Sequence, residues 1–255
     1  MRFDLRARLK QDKPFYFIWA TMPGAILAGQ LARLPYEGVC IDMQHGLSGF
    51  GDVVTMVPEI IAAGKPAMIR VLWNEPGLIG QALDVGAAAI IVPMINSAKE
   101  AAALVKAAKY PPMGMRSWGG YAAVQAAGVV PAAYLAEANA GTLTFAMVET
   151  QEALDNVDAI AATPGLDGLF IGPNDLGISL GHGLNADLTI PNLDAAVRKI
   201  GAAAAKNGLI GGAFGGNPTN CRYFAERGFR YIVGVTEVGL LAAGAKSLIA
   251  ATEQI

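Results

Sequence analysis

Residues 142–172 read TLTFAMVETQEALDNVDAIAATPGLDGLFIG. The first eight residues, up to Glu149, are mostly apolar and β-prone, as a strand buried on both faces must be. Glu149-Thr150 lead into a helical pattern, and Pro164-Gly165 stops it. GLFIG (168–172) is then a second apolar run. Strand, helix, strand is the repeat unit of a parallel sheet. The same alternation extends in both directions. FYFIWAT (15–21), GVCIDMQ (38–44), PAMIRV (66–71) and AAAIIVPM (87–94) precede it. GLIGGAF (208–214) and FRYIVGV (229–235) follow. Eight such runs predict a closed (β/α)8 barrel, a TIM barrel of class α/β, as one domain over residues 1–255.

Helix-end signals fall between the runs. Ser97-Ala98-Lys99-Glu100 is a capping-box pattern, opening a helix to about residue 109. Asn217-Pro218 supply an N-cap and a first-turn proline, with Gly228 closing that helix. Asn74 to Gly86 reads the same way, with Pro76 early. The longest gap between strands, 94–142, is expected to hold one helix and then YPPMGMRSWGG (110–120). Extra length after a barrel strand suggests a functional loop there.

Composition narrows the classes of function. The chain has 255 residues, 53% of them hydrophobic, with mean hydropathy +0.40. That length suits one barrel with a large core. A net charge of -2 and a pI near 5.7 give no field for nucleic acid or anionic membrane. Cys40 and Cys221 form no Cys-x-x-Cys pattern, and Cys40 reads as a small core hydrophobe. Residues 15–32 carry no charge and follow a basic start, which imitates a signal peptide. Asp4, Asp12 and the break at Pro23-Gly24 argue instead for a strand and a helix in a cytoplasmic protein.

Polar residues cluster at the strand ends. The second run ends in Asp42, Gln44 and His45, the third in Arg70 and the fifth in Glu149, and the sixth runs into Gly172-Pro173-Asn174-Asp175. The C-terminal ends of barrel strands face the active site. Phe145, Met147 and Glu149 share one face by strand alternation, so Glu149 tips an inward stripe. Glu149 and Asp175 on neighbouring strand ends suit one hard cation, Mg²⁺ or Mn²⁺, with Co²⁺ also fitting. The same two residues also fit as caps of a helix and a turn. His45 suits acid–base work, oriented or charged by Asp42, or is a surface loop histidine. Arg70 needs an anion, either a structural carboxylate or a substrate. His182 lies among glycines and reads as a loop residue.

The strings IDMQHG (41–46), RVLWNEPGLIGQALDVGA (70–87), VPMINSAKEA (92–101), YPPMGMRS (110–117), VETQEALDNVDAI (148–160) and GLDGLFIGPNDLGISLG (165–181) together resemble the HpcH/HpaI family of class II, metal-dependent 2-keto-acid aldolases, over roughly residues 10–250. The resemblance implies that Glu149 and Asp175 hold the metal. It implies that Arg70 contacts the ketone oxygen and stabilises the enolate, and that His45 with Asp42 moves protons. Backbone amides of Gly172, Pro173, Asn174 and Asp175 would hold the substrate carboxylate, and Asp84 would reach into a neighbouring subunit's site. Family members are commonly hexamers, trimers of dimers, that exchange the last helix, here 236–253.

Two positions depart from the dicarboxylate-degrading members. Asp42-Met43-Gln44-His45 stands where they have Asp-Gly-Glu-His, and Met147 stands where they have Gln. Similar strings occur in hydroxypyruvate-accepting members. Gln44 and Phe214 are therefore candidate substrate contacts, Phe214 either narrowing the acceptor pocket or filling ordinary core. The expected reaction is reversible aldol addition and cleavage between pyruvate or hydroxypyruvate and an aldehyde, through an enolate stabilised by the metal. A CoA-ester lyase of the same fold and a noncatalytic keto-acid-binding barrel are the alternatives. A Schiff-base mechanism needs a lysine at a strand end, and Lys65, Lys99, Lys106 and Lys109 read as preceding a strand or lying on polar helix faces.

Overall fold

Each of the eight apolar runs forms a strand in the computed structural model, which describes residues 3–184 and 187–253. The strands are β1 (Phe15–Ala20), β2 (Val39–Asp42), β3 (Ala67–Arg70), β4 (Ala89–Val92), β5 (Leu143–Val148), β6 (Gly168–Ile171), β7 (Ile210–Phe214) and β8 (Tyr231–Thr236). They pair in sequence order, all parallel, and β8 closes on β1. The charge-free stretch at 15–32 divides into β1 and the helix Ala25–Ala32. Among the described residues no helix is long and apolar enough to cross a membrane.

Alternation along the strands builds two cores. Inward residues Phe15, Phe17, Trp19, Cys40, Met68, Phe145, Met147, Phe170 and Tyr231 fill the barrel. Phe145 stacks on Tyr231 with ring centroids 4.5 Å apart, and Phe17 packs on Tyr231 at 4.4 Å. These rings occupy the places that Cβ atoms would take on β6 and β7. A Cβ on Gly168 would lie 2.4 Å from the Phe145 ring, and one on Gly212 would lie 2.6 Å from that of Phe170. Leu5 and Leu9, on the helix Leu5–Leu9, join this interior cluster ahead of β1. Outward residues such as Ile18, Ile41, Ile69 and Ile90 pack against the surrounding helices, for example Val53, Met56 and Ile60 of Phe50–Ala62.

Helix boundaries follow the sequence signals with some differences. Ser97 caps Ala98–Ala108, and Glu100 reaches back to the Asn96 N–H and the Ser97 hydroxyl. Asn217 caps Pro218–Glu226 through the Asn220 N–H. The pattern after β5 is two short helices, Gln151–Asp155 and Val157–Ala161, broken at Asn156. The gap from 94 to 142 holds three helices, adding Tyr121–Ala127 and Pro131–Gly141.

The excess length in that gap is not after the strand. Ala98–Ala108 begins six residues beyond Val92 and carries the chain back along the barrel. Residues 110–120 therefore belong to the N-terminal end, opposite the strand tips. Lys109 marks that end: it is 1% exposed rather than on a polar helix face. Its ammonium donates to the carbonyls of Asn139 and Thr142 and to Asp167. Burial lowers the Lys109 pKa, and Asp167 offsets this only in part. Asp167 also accepts from Arg6 and from the Thr144 N–H and hydroxyl. This lysine ties strand beginnings together, away from the tips where a Schiff base would form.

Candidate active site

The strand tips surround a cleft of about 590 Å³, lined by Trp19, Thr21, His45, Arg70, Met147, Phe170, Gly172, Pro173, Asn174, Asp175, Phe214 and Thr236. Its centre is a buried ion pair. Asp42 and Arg70 are register partners on β2 and β3, each two residues beyond an inward side chain, Cys40 and Met68. Arg70 Nε donates to Asp42 Oδ1 at 2.7 Å and Nη2 to Oδ2 at 2.6 Å. Trp19 Nε1 donates to Oδ2 at 3.2 Å, and the guanidinium carbon lies 4.9 Å from the Trp19 ring centroid. Burial works against the Asp42 charge, but Arg70, Trp19 and the Gln44 N–H outweigh it and hold the carboxyl below its usual range. A guanidinium carries five N–H donors. Two serve Asp42, so three remain for an anionic or carbonyl oxygen in the cleft.

Glu149 follows β5 and is 2% exposed. It does not cap the next helix; Thr150 does, accepting from the Ala153 N–H. Glu149 Oε1 accepts from the Met94 N–H at 2.8 Å. Met94 is the one non-glycine residue with positive φ among the described residues, at 56°. Such a conformation costs on the order of 1 kcal/mol, and here it accompanies an N–H directed at the carboxylate. Oε2 lies against β6, where a Cβ on residue 172 would come within 2.5 Å of it. Gly172 is thus required for Glu149 to occupy this place. Burial lifts the Glu149 carboxyl from its usual 4.5 to about 7, and the charge of Asp175 adds to the rise. One N–H and Arg70 compensate only partly.

A buried carboxylate beside a second carboxylate, with one hydrogen bond of its own, has the chemistry of a hard-cation site. Glu149 and Asp175 fit that role as an oxygen-only pair. Among the described residues no three His, Cys, Asp or Glu converge. Substrate oxygens and water would have to complete the shell.

The remaining expected residues fall in different places. His45 lines the cleft and is exposed. Asp42 does not hold its imidazole; the Asp42 carboxylate accepts from the backbone N–H of Gln44 at 3.1 Å and of His45 at 3.4 Å. Gln44 is not among the lining residues, and its Oε1 is buried without a donor among the described residues. Gly172 is the N-cap of the helix Pro173–Ser179. Pro173 has no N–H, so only Gly172, Asn174 and Asp175 have amides to offer there. Phe214 meets Trp19 edge-on at 5.7 Å, forming an aromatic wall. Asp84 ends the helix Pro76–Asp84, at the opposite end of the barrel from Arg70 in its own chain, and pairs with Arg116 at 2.7 Å. His182 follows Pro173–Ser179 in a turn, its N–H donating to the Gly177 carbonyl at 2.8 Å. Trp19, Thr21 and Thr236 were not singled out from sequence. The stripe Phe15, Phe17, Trp19, Thr21 follows the alternation that revealed Glu149 and was a usable signal.

A parallel barrel with an Arg–Asp fork and two carboxylates at its strand tips defines an enzyme class that handles small oxyanionic substrates. The profile of the HpcH/HpaI aldolase/citrate lyase family matches residues 16–242, and the chain belongs to that family. It is therefore a carbon–carbon lyase of the aldolase type. It is 36% identical to a hydroxypyruvate/pyruvate aldolase of Rhizorhabdus wittichii, over 96% of this chain and 97% of that one. A 4-hydroxy-2-oxo-heptane-1,7-dioate aldolase of Klebsiella pneumoniae is 32% identical, over 95% and 91%. A crystal structure of an HpcH/HpaI aldolase/citrate lyase family protein from Burkholderia cenocepacia superposes with TM-score 0.88 at 34% identity, covering 98% of both chains.

Proposed function

We propose that this aldolase activates pyruvate or hydroxypyruvate at the strand tips and joins it reversibly to an aldehyde. The observation that carries the reading is the Arg70 fork, fixed by Asp42 and Trp19 with N–H groups left over, in a cleft that also holds Asp175 and adjoins Glu149.

Glu149 and Asp175 would hold a divalent cation, Mg²⁺ or Mn²⁺ with Co²⁺ acceptable, whose Lewis acidity stabilises negative charge developing on the ketone oxygen. Arg70 donates to that same oxygen from a direction fixed before the substrate arrives. The amides of Gly172, Asn174 and Asp175 orient the substrate carboxylate. His45, exposed at the cleft rim, moves the proton at the α-carbon or at the aldehyde oxygen. Trp19, Phe170 and Phe214 form apolar walls that limit water around the reacting carbon. Met147 also lines the cleft and offers it no charge and no hydrogen-bond donor. The two keto-acid donors, pyruvate and hydroxypyruvate, are those for which the Rhizorhabdus wittichii relative is named.

We also infer a homo-oligomer, a hexamer in which Asp84 serves a neighbouring site and the last helix is exchanged. In support, Val238, Leu241, Leu248 and Ile249 of the helix Glu237–Thr252 are all exposed. The two free, buried thiols suit a cytoplasmic location.

The test is twofold. Mn²⁺ binding by EPR should weaken at least tenfold in Glu149→Gln while circular dichroism is unchanged. Metal-loaded protein with hydroxypyruvate and an aldehyde panel should form a new C–C bond, read by NMR. Full Mn²⁺ binding and full activity in Glu149→Gln would overturn the metal assignment.

A further inference from the structure

Glu237 is a buried acid that the reaction above does not use. It is the first residue of the helix Glu237–Thr252, and the only one of that helix that is buried, at 1% exposure. No ion pair among the described residues involves it. Taking a carboxylate out of water is costly. The N-terminal position helps through the helix dipole, but Thr236 already caps the helix by accepting the Gly239 N–H. The carboxylate serves another segment instead. Oε1 accepts from the Thr21 N–H at 2.6 Å, the Thr21 hydroxyl at 2.7 Å and the Met22 N–H at 2.6 Å. No described donor reaches Oε2. Glu237 therefore fastens the turn after β1 to the end of β8, at the seam where the barrel closes.

That turn in turn holds the segment carrying His45. The Thr21 carbonyl accepts the Leu47 N–H at 2.7 Å. Gly46 is pressed between this carbonyl and the backbone of Asp42; a Cβ there would lie 3.0 Å from Thr21 O and 2.1 Å from Asp42 O. His45 is thus bracketed by Asp42, which accepts its N–H, and by Gly46-Leu47, which rest on Thr21. Its imidazole makes no hydrogen bond to a described residue, so no polar side chain holds the ring, and its place in the cleft depends on how this backbone is held.

We propose that Glu237 is a positioning residue for His45, acting through Thr21 and Leu47. This rests on the assignment of proton transfer to His45. It makes the root of the last helix part of the catalytic apparatus, although Glu237 itself touches no substrate.

The test is a double-mutant cycle on the metal-loaded enzyme. Glu237→Ala leaves three donors without their acceptor and should lower kcat roughly 20- to 100-fold, with KM for the keto acid changed less than about twofold. Glu237→Gln keeps an oxygen at the Oε1 position and should recover kcat to within about fivefold. In a His45→Ala background, Glu237→Ala should cost less than about twofold more, because its effect passes through the missing ring. Equal losses in both backgrounds would overturn the proposal. If Glu237→Ala does not fold by circular dichroism, Glu237→Gln carries the cycle, with about a threefold loss beside His45 and none in its absence. A wild-type kcat in His45→Ala alone would overturn the proton-transfer assignment first, and the two failures are thereby distinct.

Discussion

The Asp42–Arg70 pair shows how one contact decides what a side chain can do. The pair is buried, with side-chain exposures of 2% and 9%, and either group alone would be an uncompensated charge. Asp42→Ala should therefore destabilise the protein by about 3 kcal/mol or more in urea unfolding. Asp42→Asn keeps the shape but removes the charge-assisted fork, and should lower kcat at least tenfold with a smaller loss of stability. Arg70→Lys should behave like a loss of function despite its charge, since an ammonium can neither fork onto Asp42 nor stack on Trp19 in the same way. Much of this was legible in the sequence, because polar residues at the ends of apolar strands stand out. The partner of Asp42 was not. Spacing put it beside His45, whereas strand register put it opposite Arg70, and register between strands is absent from any single stretch of chain. Glu237 escaped notice for the same reason: its partners, Thr21 and Met22, lie at the other end of the sequence.

The elements were read from the chain with greater success than their connections. The strands follow from continuous apolar runs, and the caps at Ser97 and Asn217 follow from local side-chain chemistry. The helices Tyr121–Ala127 and Pro131–Gly141 lack the local signal that marks the others: Gly120 and Val130 stand at their N-caps and make no side-chain capping bond. Loop length alone marks 110–120 as functional, and length does not say which end of the barrel a loop occupies. Outside the barrel, Asp194 of the helix Pro191–Lys206 joins two helices. It accepts from Tyr223, Arg198 and Arg227, and Tyr223 belongs to Pro218–Glu226. The Tyr223 hydroxyl and the Arg198 hydrogen bond hold its carboxyl at about 2, below the usual 3.8. A depressed folded pKa gives stability that is present above the unfolded value and lost as pH falls through the folded one. Thermal scans should thus show Asp194→Asn lowering Tm at pH 7. The difference from wild type should shrink between about pH 4 and pH 2. A constant difference down to pH 2 would contradict this.

At the scale of the molecule, the barrel carries a buried polar network at each end. Lys109, Asp167 and Arg6 bind the N-terminal end, and Arg70, Glu149, Asp175 and His45 gather at the other. The last helix has two parts: its root, Glu237, is buried, while Val238, Leu241, Leu248 and Ile249 farther along are exposed. Leu241→Glu with Leu248→Glu should shift the protein to smaller species in light scattering coupled to gel filtration, and an unchanged mass would count against an exchanged helix. If the strand tips enolise a 2-keto acid through Arg70 and a bound cation, they should exchange its α-protons with solvent even when no acceptor is present. Metal-stripped protein with pyruvate or hydroxypyruvate in D₂O, followed by NMR, should exchange only after Mn²⁺ or Mg²⁺ is added, and Arg70→Ala should slow that exchange at least about 100-fold. Exchange that ignores the metal and survives Arg70→Ala, or no exchange with either acid under either metal, would contradict it.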